Sequence, residues 1–178
     1  QTIEAFSNIG GADFPFQRTG LFLSKGIVSP FSIQSLQDTF IFIGSGYRES
    51  PAIWALSGND VVKISTTAID KELGSLTTDQ INAIYSWSYA QKGAYFVGFA
   101  LPSTTFVYDL ISKRWHERRS VIDGTLGAYR VKSLVRAYNN VYCGDLTDGR
   151  IGRLDADIFK EYETPIQRTI VTQPFQNN

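Results

Sequence analysis

Three copies of one hairpin-pair pattern run through the 178-residue chain, and this recurrence limits the fold more than any other feature. In the clearest copy, "AIYSWSYAQKGAYFVGFA" (83–100) gives two strands around Gln91-Lys92-Gly93. "TTFVYDLISKRWHERRS" (104–120) follows with two more, broken at Ile111-Ser112-Lys113. Runs of β-branched and aromatic residues bounded by turn residues read as strands joined by tight turns. Upstream, "SIQSLQDTFIFIGSG" (32–46) turns around Gln37-Asp38, and "PAIWALSGNDVVKIST" (51–66) turns around Ser57-Gly58-Asn59-Asp60. Downstream, "RVKSLVRAYNNVYCGD" (130–145) turns at Asn139-Asn140, and "GRIGRLDADIFKEYE" (149–163) turns at Asp155-Ala156-Asp157.

The copies superpose. Gly44, Gly98 and Gly144 each end a second strand, 54 and then 46 residues apart. Leu56, Leu110 and Leu154 each end a third strand, and Val61, Trp115 and Phe159 each anchor a fourth, at offsets of 54 and then 44. A four-stranded antiparallel unit recurring at about 40 to 55 residues is the mark of a β-propeller blade. The expected fold is all-β: about three four-stranded blades of a larger, incomplete propeller. The alternative on the same residues is an antiparallel sandwich with hairpins of similar length. The fourth strand of the clearest copy carries one indole among charges. It reads as an outer strand, with Trp115 plugging the gap to a neighbouring blade. The second strands ("TFIFIG", "AYFVGFA", "NVYCG") are the most apolar, as strands buried on both faces must be.

Between the first two units, "STTAIDKELGSLTTDQIN" (65–82) carries Ser/Thr caps, an Ile69–Leu73 pair at i,i+4 and a second cap at Thr77 or Thr78. It predicts two short helical turns on an inter-blade loop. The expected division is a preceding-blade end and loop over 1–29, a blade over 30–66, the helical insertion over 67–82, blades over 83–120 and 130–163, and the start of a further strand or linker over 164–178. At the N-terminus a strand is expected over Thr2–Phe6, then a Gly-, Pro- and Phe-rich loop to about Gly26. The chain contains no methionine, so it reads as a piece of a longer polypeptide. Three blades cannot close a ring of four to eight, so the remainder is expected from the same polypeptide or from other copies.

The chemistry-bearing candidates are few, and the expected catalytic, cofactor-binding and metal-site residues are none. His116 is the only histidine and reads as an edge histidine. Cys143 is the only cysteine. It excludes an internal disulfide and a cysteine-built zinc site, fits a reducing compartment and reads as a small buried hydrophobe. Asp145 and Asp148 lie near glycines but lack the alternating ligands of a calcium loop, so "TDG" reads as a turn. "IGSG" (43–46) follows a strand without the Lys-Ser/Thr of a phosphate loop. Lys113, Arg114, Arg118 and Arg119 surround Glu117 and read as a solvated face, or else a docking surface. Lysine plus arginine and aspartate plus glutamate each number 17, for a formal net charge of zero. That balance speaks against nucleic-acid binding through bulk charge. No apolar run reaches the roughly 20 residues of a membrane-spanning helix. The innermost strands carry no carboxylate, which argues against glycoside hydrolysis by a carboxylate pair.

The order "IEAFSNIGGADFPFQRTGLFLSKGIVSPFS", "FIFIGSG…PAIWAL…VVKIST", "FVYDLISKRWHE" and "NNVYCGDLTDGRIGRLD" resembles the packaged-DNA stabilization proteins, the tail accessory or tail hub factors of short-tailed double-stranded DNA phages. The resemblance covers about residues 2–175. Its more specific pieces are Lys25-Gly26, Ile43-Gly44-Ser45-Gly46, Val107-Tyr108-Asp109 with Trp115, and Cys143-Gly144-Asp145 with Gly149. It implies a structural virion protein without enzymatic activity or cofactor, assembled in the host cytoplasm into the tail. There it would plug the portal channel after packaging and carry further tail proteins. The implied partners are its own copies, the portal and adaptor ring, the tail needle and the tailspikes, with no membrane and no sequence-specific nucleic acid. The rival readings are a glycan-binding or glycoside-processing propeller and a cellular scaffold propeller. The double-glycine and Gly-His…Trp-Asp repeat signatures of the latter are absent from the sequence.

Overall fold

The computed structural model describes residues 2–36 and 38–171. Gln1, Gln37 of the first expected turn, and 172–178 of the expected last strand lie outside the described residues.

In chain order, β1 (Ile3–Asn8) pairs β2 (Phe16–Leu23), and β3 (Gly26–Ile27) follows. The first sheet joins β4 (Gln34–Leu36), β5 (Thr39–Ser45), β6 (Ala52–Ser57) and β7 (Asp60–Lys63), with β3 added beside β4 on β5. Helices α1 (Thr67–Ser75) and α2 (Thr78–Asn82) follow. The second sheet runs β8 (Tyr85–Gln91), β9 (Ala94–Ala100), β10 (Thr105–Asp109), β11 (Arg114–Ile122) and β12 (Thr125–Ala128). The third runs β13 (Val131–Ala137), β14 (Asn140–Asp145) and β15 (Ile151–Leu154). Last, β16 (Lys160–Glu161) pairs β17 (Thr164–Pro165). All these pairings are antiparallel, and the expected hairpins form except the one over 149–163, where β15 pairs with β14 and β16 pairs with β17 instead.

Turn chemistry sets the registers. Lys92-Gly93 and Asp123-Gly124 both lie at positive φ, the two-residue turn whose twist matches paired strands. Asp123-Gly124 adds β12, a fifth strand beyond the four expected. The turn expected at Asn139-Asn140 falls one residue earlier, on Tyr138-Asn139, with φ of 49° and 60°. Tyr138 is 90% exposed, so no packing offsets its left-handed backbone. Tyr138→Asn is expected to stabilise the fold by about 1 kcal/mol in urea unfolding. A decrease would show that the exposed ring makes stabilising contacts.

Three apolar layers hold the sheets face to face. Ile41, Ile43 and Ile53 of the first sheet meet Val97, Phe99 and Tyr108 of the second, sealed by Ile69 and Leu73 of α1. The helix caps explain this placement. The Thr66 hydroxyl accepts from the Ile69 amide, and Thr77 with Gln80 forms a reciprocal capping box before α2. The second layer joins Trp87, Tyr89 and Val107 to Val131, Val141 and Leu154. The third joins Phe42, Trp54 and Val61 to Ile3, Leu21 and Leu23 of the N-terminal hairpin. The leucine superposition holds. Leu56, Leu110 and Leu154 each pack toward the element that precedes their own sheet.

Four expectations need correction. The loop expected to run to Gly26 contains β2, so the N-terminus is a hairpin laid over the first sheet. Gly98 and Gly144 share one register position but Gly44 does not superpose on them: a Cβ on Gly44 would meet the Phe42 ring at 2.5 Å, and one on Gly98 would meet the Trp87 indole at 2.3 Å. Phe42 and Trp87 belong to layers on opposite sides of the first two sheets, because a one-residue slip in a strand reverses its faces. Among the described residues the third unit has three strands in its sheet, not four. Phe159, expected as its fourth-strand anchor, is 57% exposed.

Candidate functional site

The first strand of each unit lies at one edge of its sheet, and these edges meet. The Gln34 amide donates to Ser86 Oγ at 3.0 Å and accepts from Ser88 Oγ at 2.9 Å, tying β4 to β8. Lys132 on β13 lies 4.0 Å from the centre of the Tyr85 ring on β8. The outer strands are tied as well. Trp115 Nε1 donates to the Ile64 carbonyl at 2.7 Å, and its ring packs 4.9 Å from Tyr108. The expected wedge between the first two sheets is therefore in place.

Beside the third sheet, Tyr162 is held against the Arg130–Asp145 pair. Its hydroxyl donates to Asp145 Oδ2 at 3.0 Å. Its ring centre lies 3.7 Å from the Arg150 guanidinium and 4.6 Å from that of Arg130. Arg130 also donates to Asp145 at 2.6 Å, with side chains only 11% and 1% exposed. Burial alone would raise the pKa of Asp145. Hydrogen bonds from the Thr147 amide, Arg130, the Thr147 hydroxyl and Tyr162 outweigh it and hold the carboxyl well below the ordinary range. Glu161, bonded by the Ser120 hydroxyl at 3.0 Å, is pushed the other way by burial. A cavity of about 430 Å³ lies beside this network, lined by β15, Ile158, Lys160 and Ile166 among others.

The sequence candidates fall as follows. His116 is exposed, and its Nε2 accepts from Arg118 at 3.2 Å. Desolvation and the Arg118 charge lower its pKa. Cys143 packs in the second layer, and burial pushes its thiol up. Asp145 and Asp148 are engaged by Arg130 and Arg150. The Gly46 amide donates to Glu49, which also pairs with Lys25. Lys113, Arg114 and Arg119 are exposed. Arg118 corrects the solvated-face reading: its guanidinium lies 5.1 to 5.9 Å from the rings of Phe96, Tyr89, Trp87 and Tyr129. It alternates with Trp115 along β11 and so faces the other sheet. Among the described residues no three His, Cys, Asp or Glu side chains gather as a metal site, and no helix is long and apolar enough to cross a membrane.

Both ends of the stack present apolar surface. The N-terminal hairpin exposes Phe6, Phe14, Phe16 and Phe22, and the third sheet exposes Val135 and Ile151. Scattered apolar residues are ordinary on a surface, whereas contiguous ones mark contact faces.

Radially repeated antiparallel sheets, joined face to face with their first strands meeting at one edge, define a β-propeller segment. A family model described as bacteriophage P22 Gp10, beta-propeller, matches residues 1–159, and the chain belongs to that family. Among curated proteins it is similar to the tail hub protein gp10 of Salmonella phage P22, at 24% identity over 181 residues. That match covers 98% of this chain and 38% of the relative, so the chain spans less than two-fifths of the relative's length.

Proposed function

We propose that the chain is part of a phage tail hub that closes the DNA-filled head by plugging the portal channel and carries further tail proteins. The blades would be residues 30–66, 83–120 and 130–163, with the remaining ring supplied by the same polypeptide or by other copies. The mechanism is steric and interfacial, without catalysis: no bond is made or broken. Partners would be the adaptor ring on the portal side, the tail needle and the tailspikes, in a virion tail assembled in the host cytoplasm.

The observation that carries this reading is a stack of sheets welded by three apolar layers, with apolar faces left open at both ends. Such a stack offers neighbours a rigid surface. Family membership and the relative's name support the tail role. The test adds the protein at its full natural length to filled heads made without it and follows DNA release by nuclease sensitivity. Retention is the expected result. Leakage in the presence of folded, bound protein would end the closure reading and make a glycan array the next assay.

A further inference from the structure

The first and second sheets each carry an outer strand on the edge that β15 leaves open in the third. Strand β7 pairs β6, and β11 pairs β10, whereas β15 pairs only β14 among the described residues. The repeat states what should lie there. Asp109↔Arg114, Tyr108↔Trp115 and Val107↔His116 are paired in the second sheet. Shifted by the 44-residue offset, they become Arg153↔Ile158, Gly152↔Phe159 and Ile151↔Lys160. The chain already turns back at this point: the Asp157 amide donates to Asp155 Oδ1 at 3.0 Å, and the Ile158 amide to the Asp155 carbonyl at 3.4 Å. The cavity of about 430 Å³ runs between this edge and the returning segment.

We propose that Ile158–Tyr162 is a two-state outer strand, which can leave its hairpin with β17 and add to β15, and that Tyr162 is the latch that holds it off. Gly152 is where the two states compete. A Cβ built there would meet Cys143 Sγ at 3.0 Å and the Tyr162 hydroxyl at 3.7 Å, so Tyr162 stands over the slot opposite which Phe159 would pair. In the latched state Tyr162 has Asp145, Arg130 and Arg150 as partners, while Phe159 has exposed surface. In the added state the Phe159 ring crosses the glycine, as aromatic side chains do over strand glycines. The unpaired main-chain groups of the β15 edge gain partners.

The test uses Ile151→Cys with Lys160→Cys, in a Cys143→Ser background. Paired antiparallel residues bring Cα atoms to about 4.5–5.5 Å, within disulfide reach. The disulfide yield under mild oxidation is expected to rise at least about fivefold on Tyr162→Ala, a shift of roughly 1 kcal/mol. It should fall back when Phe159→Ser is added. Tyr162→Phe keeps the ring beside the two guanidinium groups but loses the Asp145 bond, so its yield should be intermediate. It also serves if the alanine variant does not fold. Equal yields in all Tyr162 variants, with faster proteolysis of 156–166 in the alanine variant, would mean that Tyr162 is only an anchor and the edge takes no strand from this segment.

Discussion

Trp115→Ala is expected to cost about 3 kcal/mol of folding stability, the low end of the range for deleting a large aromatic side chain, because the indole is only partly buried. Three features place it there. The indole packs beside Tyr108 and Phe99, at ring separations of 4.9 and 6.4 Å. Its Nε1 reaches across to the Ile64 carbonyl at the end of the first sheet. Ile64 is itself the residue whose amide donates to the Ile53 carbonyl. Removing the indole thus opens a void between two sheets and removes a bond worth about 1 kcal/mol. Trp115→Phe should cost about half as much, because it keeps most of the ring. Urea unfolding measures both. A lowered slope with denaturant would add that the two sheets no longer unfold together. A loss below about 1 kcal/mol for the alanine variant would remove Trp115 from the role of wedge.

Asp145→Ala is expected to cost a similar amount, about 3–5 kcal/mol, by leaving the nearly buried Arg130 charge without its partner. The Tyr162 hydroxyl also loses its acceptor, so the β16–β17 hairpin should become the first site of proteolysis. Linkage gives a pH signature. The folded pKa of Asp145 is depressed below the ordinary 3.8 of the unfolded chain. Its contribution is therefore fully present above that value and is lost as pH falls toward the folded pKa. The stability gap between wild type and Asp145→Ala should be constant near neutrality and narrow below about pH 4. Glu161 works in the opposite sense: its folded pKa is raised, so what it contributes at low pH is lost as pH rises. Comparing wild type with the Asp145 variant removes most of that term. A gap unchanged down to pH 2 would show that Asp145 does not act through its charge.

Much of the candidate site was legible because it rests on local rules. Trp115 announced itself as one indole among charges on a short strand. Asp145 and Asp148 read as turn residues from their glycine neighbours, and they do organise the turn before β15, accepting from the Thr147 and Arg150 amides. Arg118 was not legible as an aromatic partner, because its four rings come from β8, β9 and the segment after β12. Strand alternation does put it opposite Trp115, which is the signal that could have flagged it. Tyr162 was missed for a related reason. The repeat offset points to Phe159, and only the cleft beside Asp145 with its two guanidinium groups selects the tyrosine three residues later.

The sequence by itself determined the all-β class, the order of the hairpins as far as β13–β14, the capped helical insertion between the first two sheets and the leucines that end each third strand. These follow from residue type, turn chemistry and period-two alternation, which act within a few residues. Tertiary structure alone decided that the N-terminal segment pairs with itself over the first sheet. It also decided that Gly44 and Gly98 face opposite ways and that, among the described residues, the third sheet holds three strands. Each of those depends on strand register and on contacts far apart in the chain, and a shift of one residue reverses every face.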